Sequence, residues 1–236
     1  MADITSFDEF HRAFEKYRRD NRWMFRGQAN SEWSAIPRAG RPPYVERDDL
    51  DYLASWLRRA AEFVPRVPEN IWECMALAQH HGLPTRLLDW TYNPLVAAFF
   101  ACQEEPQSDA VVYCYMPERQ IIPETTEPGK LSRVLKYRPN VIAGRIARQS
   151  GLFSAHPDPK KELEESISEK DLLEVHVIKA SYTRQMLFEL NHYGVNRLVL
   201  MGDLDGLSAH MRWTIENRRY WSDHDEFIRE IQADVR

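Results

Sequence analysis

The stretch Leu77 to Cys102 (LAQHHGLPTRLLDWTYNPLVAAFFAC) constrains this chain more than any other. Ala76, Leu77 and Ala78 lead into Gln79-His80-His81 as the end of a helix. Gly82 stands where a helix C-cap wants a positive φ, and Pro84 follows two residues later as a stop. Thr85 to Asp89 reads as a short extended run. Asn93 is a good N-cap for a second helix, and Pro94 suits its first position because a missing N–H goes unpaired there anyway. Leu95 to Cys102 carries no charge, so that helix is buried on most sides. The turns flanking it hold His80, His81, Thr85, Arg86, Asp89 and Trp90. Such turns, held by a rigid scaffold, are where side chains point into a cleft.

The rest of the chain surrounds this segment. Ser6, with Glu9 three residues on, forms a capping box for a helix over Ile4 to Tyr17. Phe7, Phe10, Phe14 and Tyr17 share one face of it. Trp23 to Gln28 (WMFRGQ) reads as a strand ending at Gly27. Ser31 to Arg38 is extended or turning, and Arg41-Pro42-Pro43 is a loop. Asp49 to Phe63 is a helix with Leu50, Leu53, Leu57 and Ala61 on its core side, and Ile71 to His80 another. Ala110 to Tyr115 is a buried strand. Val141 to Ala147 is a short helix or strand. Pro157 to Lys170 is a charged surface loop. Leu172 to Ile178 alternates as a strand, Ser181 to Tyr193 is a helix capped by Gly194, and Arg197 to Met201 is a strand. Leu207 to Asn217 is a helix, and Tyr220 to Arg236 forms a terminal one. The expected class is α+β: a single mixed domain, short strands in a central sheet or split sheets, with flanking helices.

Composition narrows the functions. At 236 residues and 43% hydrophobic, the chain fills one good core. No apolar run reaches the length of a membrane span, so no membrane partner is expected. The first residues lack the apolar stretch of a secretory signal. Cys74, Cys102 and Cys114 are scattered and form no CxxC pair. They read as buried free thiols in a reducing cytoplasm, and no metal is expected. A net charge of −5 argues against global attraction to nucleic acid, though a local basic groove is compatible with it.

Four segments carry polar groups in suggestive places. Arg26 near the end of a strand, followed by Gly27 and Gln28, presents a guanidinium to a phosphate or carboxylate while Gly27 lets backbone approach a ligand. Equally, Arg26 forms an internal ion pair, for instance with Asp89. Adjacent His80 and His81 point in different directions, so one faces a ligand or caps helix carbonyls, and the two make a poor metal pair. Asp89-Trp90-Thr91 is either part of a site or a capping arrangement. Gln149 stands before a glycine turn, with Phe153 and His156 close behind; it hydrogen-bonds a sugar or amide without adding charge, or the segment is a loop anchored by Phe153. Asp203-Leu204-Asp205-Gly206 suits a turn and N-cap better than a cation site. P-loop, GxGxxG, HExxH and GxSxG patterns are all missing.

Phe25-Arg26-Gly27 and the run Gln79 to Thr91, with the helix Asn93 to Phe100, resemble the FRG domain family. The resemblance continues through Gln149 to Phe153 and His156 and through Leu190 to Asp205. It implies an N-terminal helix (1–22), an FRG domain over 23–217 and a C-terminal helical extension (218–236). The family occurs in bacterial and phage proteins and implies no fixed activity.

A second resemblance is to ADP-ribosyltransferases of the arginine–serine–glutamate type. Arg26 resembles their first motif, Asp89-Trp90-Thr91 with Ala97-Ala98-Phe99 their second, and Gln149 falls at the third. It implies that fold, NAD as cofactor and a protein or nucleic-acid acceptor, with a role in phage defence or as a toxin. Arg26, Thr91, Gln149 and His80 would then be catalytic. Arg26, Gly27, Gln28, Arg86, Asp89, Trp90 and Phe153 would bind the cofactor. There is no Ser-Thr-Ser triplet, and Gln149 replaces the catalytic glutamate, which weakens oxocarbenium stabilisation. The alternative expectation is a non-catalytic module that senses a nucleotide or phosphate and mediates interactions.

Overall fold

The computed structural model describes residues 2–64, 66–104, 107–140 and 148–217. A seven-stranded mixed sheet runs through them in the order β1-β7-β4-β2-β3-β6-β5. The strands are β1 (Asp3–Ile4), β2 (Met24–Gln28), β3 (Leu87–Thr91), β4 (Ala110–Met116), β5 (Leu135–Tyr137), β6 (Gly151–Ala155) and β7 (Leu172–Ile178). The β1–β7 pair is parallel, and the rest are antiparallel. The helices are α1 (Phe7–Phe14), α2 (Asp49–Ala60), α3 (Ile71–His80), α4 (Pro94–Cys102), α5 (Leu163–Ser166), α6 (Ala180–His192), α7 (Arg197–Met201) and α8 (Leu204–Glu216).

Two apolar clusters share one face of the sheet. In the first, α1, α4 and α6 cover Phe25, Val112 and Cys114. In the second, α2 and α3 cover Leu87, Phe153 and Ala155. The opposite face holds Met24, Leu88, Trp90, Tyr113, Tyr115 and Leu152, with Leu163 of α5 packed on them. Strand alternation explains the sorting, because successive side chains leave a strand on opposite sides.

The joint between β2 and β3 is unusual. They are in register at a single pair, Phe25 with Thr91. Beyond it β2 continues along β4, and β3 continues along β6. The choice between one sheet and split sheets thus resolves as one sheet with a nearly open joint.

Several caps form where the sequence placed them. Ser6, Asn93 and Asp203 accept from the backbone N–H groups of Glu9, Leu95 and Gly206. Gly82 and Gly194 take positive φ beyond α3 and α6. Cys74, Cys102 and Cys114 are buried free thiols.

Other expectations need correction. Arg197–Met201 is the short helix α7, because Asn196 caps it and Gly202 ends it in the left-handed region. On α2 the buried alanine is Ala60, and Ala61 is exposed, because the helix ends there. The segment 151–155, also read as a loop, is strand β6, held on both sides by β3 and β5. Residues 1–22 are more than a packed helix, since β1 joins the sheet edge. The element expected at 141–147 and the helix expected at 218–236 lie outside the described residues. Among the described residues, no helix is long and apolar enough to cross a membrane.

Candidate functional site

The two helical clusters leave a gap between α3 and α4, directly over the open joint. A cleft of about 720 Å³ occupies it. It is lined by β2 from Phe25 to Gln28, by β3 from Leu87 to Thr91, by the end of α3 and by one side of α4. Gln149, Phe153, Trp33, Arg38, Arg41 and Tyr44 also line it.

Arg26 sits in the joint. Its Nη1 donates to the Asp89 carbonyl at 2.9 Å, bridging strands that no longer pair. Its Nε is buried and finds no hydrogen-bond partner among the described residues. Burial lowers the Arg26 pKa, and the Asp89 charge opposes that shift. The alternative of an ion pair with Asp89 is thus replaced by a bond to its backbone carbonyl. The Asp89 carboxylate accepts instead from Gln79 Nε2 at 3.0 Å, and Gln79 in turn accepts from the Thr85 hydroxyl. An unmet donor of this kind is costly to bury.

Two further arginines stand at the mouth. Arg41 Nε and Nη2 donate to the Ile36 carbonyl at 2.9 and 2.6 Å. Its pKa is lowered by burial first and by Arg38 second, with Asp89 opposing. The Arg38 guanidinium lies 5.6 Å from the centre of the Tyr44 ring. Arg26, Arg38 and Arg41 thus share one cleft with Asp89 and Glu104, a surplus of one positive charge that suits an anion.

The remaining expected site residues fall into three groups. His80, Gln28, Phe153, Thr91 and Gln149 all line the cleft. Gln28 is buried and braces the turn carrying Trp33, donating to the carbonyls of Asn30 and Trp33. The Thr91 hydroxyl donates to the Gln149 carbonyl at 2.7 Å and accepts from Asn93 N–H at 3.0 Å. It ties β3 to β6 and to the start of α4. Gln149 Nε2 donates to the Leu200 carbonyl at 3.2 Å.

Gly27 and Trp90 border the cleft but serve the fold. A Cβ on Gly27 would stand 1.8 Å from the Ala97 carbonyl, so this glycine admits α4 rather than a ligand. The Trp90 ring lies on the far face, where its Nε1 donates to Ser154 Oγ at 2.8 Å and it packs against Tyr115.

Arg86 is not in the cleft at all. It is buried and held by Asp49. The expectation that it binds a cofactor fails because its guanidinium is already matched. Arg38 and Arg41 were missed by sequence reasoning. Their signal was present in Pro37-Arg38 and Arg41-Pro42-Pro43, two arginines three apart in a loop bracketed by prolines.

Behind Arg26 lies His156, fully buried, with Nε2 3.1 Å from Ser154 Oγ. Burial and then the Arg26 charge push its pKa down from 6.5 to about 3. His176 is pushed down to about 4, by burial first and by Lys16 second. Both stay neutral in the folded chain, while an unfolded chain protonates histidine near pH 6.5. Their contribution is therefore complete above about pH 6.5 and declines toward the folded values, by up to about 1.4 kcal/mol per pH unit for each. Melting temperature measured against pH is expected to fall below about pH 6.5, and His156→Gln to flatten the fall.

The family model of the FRG domain matches residues 21–110. This stretch is an FRG domain. It supplies Arg26, Gly27, Arg38, Arg41, His80 and Asp89, and so most of the cleft wall. Gln149 and Phe153 come from beyond the matched FRG domain. No curated protein and no solved structure matches the chain.

Proposed function

We propose that the FRG domain cleft binds a nucleotide through its phosphates, with NAD as the nucleotide to which the sequence motifs point. The observation that carries this reading is Arg26. Its buried Nε faces no acceptor while Arg38, Arg41 and His80 line the same cleft. Arginine forks suit phosphate oxygens, and Trp33, Tyr44, Phe100 and Phe153 offer aromatic surface for a base or nicotinamide ring. The volume falls within the usual range for a small-molecule site. The setting proposed is the bacterial cytoplasm.

The test is calorimetry with NAD, ADP-ribose, ATP and inorganic pyrophosphate. At least one is expected to bind, and Arg26→Ala to weaken it by about 10- to 100-fold, the loss of a charge-assisted hydrogen bond. Unchanged melting would show that the variant is folded. Failure of all four to bind would remove the reading.

A second reading, NAD cleavage or ADP-ribosyl transfer in phage defence or toxicity, is supported by one further observation. Arg26, Thr91 and Gln149, in the order of the transferase motifs, line one cleft. Gln149 lacks a carboxylate, so the charges available to stabilise an oxocarbenium ion in the cleft are Asp89 and Glu104. Nicotinamide release from NAD that Asp89→Asn abolishes would favour this reading. Binding without release favours a sensing module that recruits a protein or nucleic-acid partner.

A further inference from the structure

Twelve large hydrophobic side chains are exposed among the described residues, and six of them lie on α7 and α8: Leu198, Val199, Leu204, Leu207, Met211 and Ile215. The remainder are scattered from Trp33 to Tyr193. On α8 the four recur three or four residues apart and so form one stripe along the helix. The opposite side of α8 is spoken for. Gly206 is buried there, and Trp213 packs on Phe188 of α6. The stripe is therefore a second apolar face, directed away from the domain, on a helix already anchored. A contiguous patch of this kind marks an interaction site.

Charge selects the occupant. Asp205 and Arg212 stand seven residues apart, two helical turns, on the same flank of the stripe. We infer that this face pairs with a second copy of the chain, α8 against α8 in antiparallel fashion about a two-fold axis. A register that sets Met211 against the partner's Leu207 brings Leu204 within one residue of the partner's Ile215. The same register sets Asp205 level with the partner's Trp213, one residue from the partner's Arg212. Two-fold symmetry repeats that contact, so each dimer gains two Asp205–Arg212 pairs at the rim of an apolar seam. Antiparallel pairing also sets the N-terminal end of each α8, which favours negative charge nearby, close to the C-terminal end of the other. Leu198 and Val199 of α7 extend the seam at both ends.

Sedimentation equilibrium of the full chain tests this. A reversible dimer is expected. Met211→Glu should weaken it by at least about tenfold, the loss typical of a central apolar contact. Asp205→Arg should weaken it too, by like-charge contact with the partner's Arg212. Asp205→Arg combined with Arg212→Asp should restore it. Circular dichroism of each variant, unchanged from the parent, separates lost pairing from lost folding. Monomers at all concentrations overturn the proposal. So does a dimer indifferent to Met211→Glu, and so does failure of the charge reversal to rescue.

Discussion

Replacing Asp49 with alanine is expected to destabilise the folded chain by about 3–5 kcal/mol, a large part of an ordinary domain's stability. The Asp49 and Arg86 side chains are 1% and 5% exposed, and Arg86 Nη2 stands 2.6 Å from Asp49 Oδ1. Arg86 Nε adds contacts of 3.1 Å to both carboxylate oxygens, and the backbone N–H of Arg86 donates to Oδ2 at 2.9 Å. Nη1 donates to the Pro128 carbonyl at 3.0 Å. One guanidinium therefore staples the first turn of α2, the 128 turn and the start of β3. Without Asp49 a charged group stays buried with its main counter-ion gone, and burial of an unpaired charge is the costly case. Asp48 also touches Arg86 but is itself largely exposed, so it replaces little. Urea unfolding measures the loss. Asp49→Leu combined with Arg86→Met should recover most of it, because an apolar pair of similar volume is near neutral. A loss under about 1 kcal/mol would mean that water reaches the pair and that it belongs with surface ion pairs. Arg66 with Glu69, both highly exposed, supplies that control, and Glu69→Gln should leave the midpoint unmoved.

The same pair shows what a sequence does and does not disclose. The reach of a side chain is invisible in one dimension. Arg86 stands in the most specific run of the chain, beside Thr85 and three residues before Asp89, and its residue type suits a phosphate. Its counter-ion lies 37 positions earlier in a helix chosen for other reasons. Local chemistry was legible where it is decided locally. The N-caps at Ser6, Asn93 and Asp203 formed, and so did the positive φ at Gly82 and Gly194. The α7 error has the same root. Arg197 to Met201 is apolar enough for a strand, but the Asn196 cap and Gly202 stop decided for a helix. In the cleft, sequence singled out Arg26, Asp89, Thr91 and Gln149, and all four line it, the first three from strands β2 and β3. Trp90 lines the cleft as well, but strand alternation sends its ring and the Asp89 side chain to opposite faces of the sheet. Sequence reasoning missed Arg38 and Arg41, because a loop without periodicity carries no direction.

Gly27→Ala is expected to cost about 3 kcal/mol or more and to abolish ligand binding in the cleft as a consequence. The added methyl would stand 1.8 Å from the Ala97 carbonyl oxygen, 2.6 Å from the Ala101 nitrogen and 2.9 Å from the Ala97 carbonyl carbon. All three are backbone atoms of one helix, so no side-chain rotation relieves the clash. The helix cannot yield locally either, because Ala97, Ala98, Ala101 and Cys102 are fully buried around the contact. The only relief is for α4 to lift from β2 as a body, opening the largest apolar cluster. Its Phe100 and Gln103 leave the cleft wall with it, and the Asn93–Thr91 contact at its start comes under strain. Arg26→Ala and Gly27→Ala thus separate two roles that neighbour each other in sequence. The first should weaken binding and keep the melting temperature, since Arg26 lines the joint without filling the core. The second should lower both together. Calorimetry and thermal melting on the two variants decide this. A Gly27→Ala protein that melts like the parent would show that α4 rides higher on the sheet than these contacts allow.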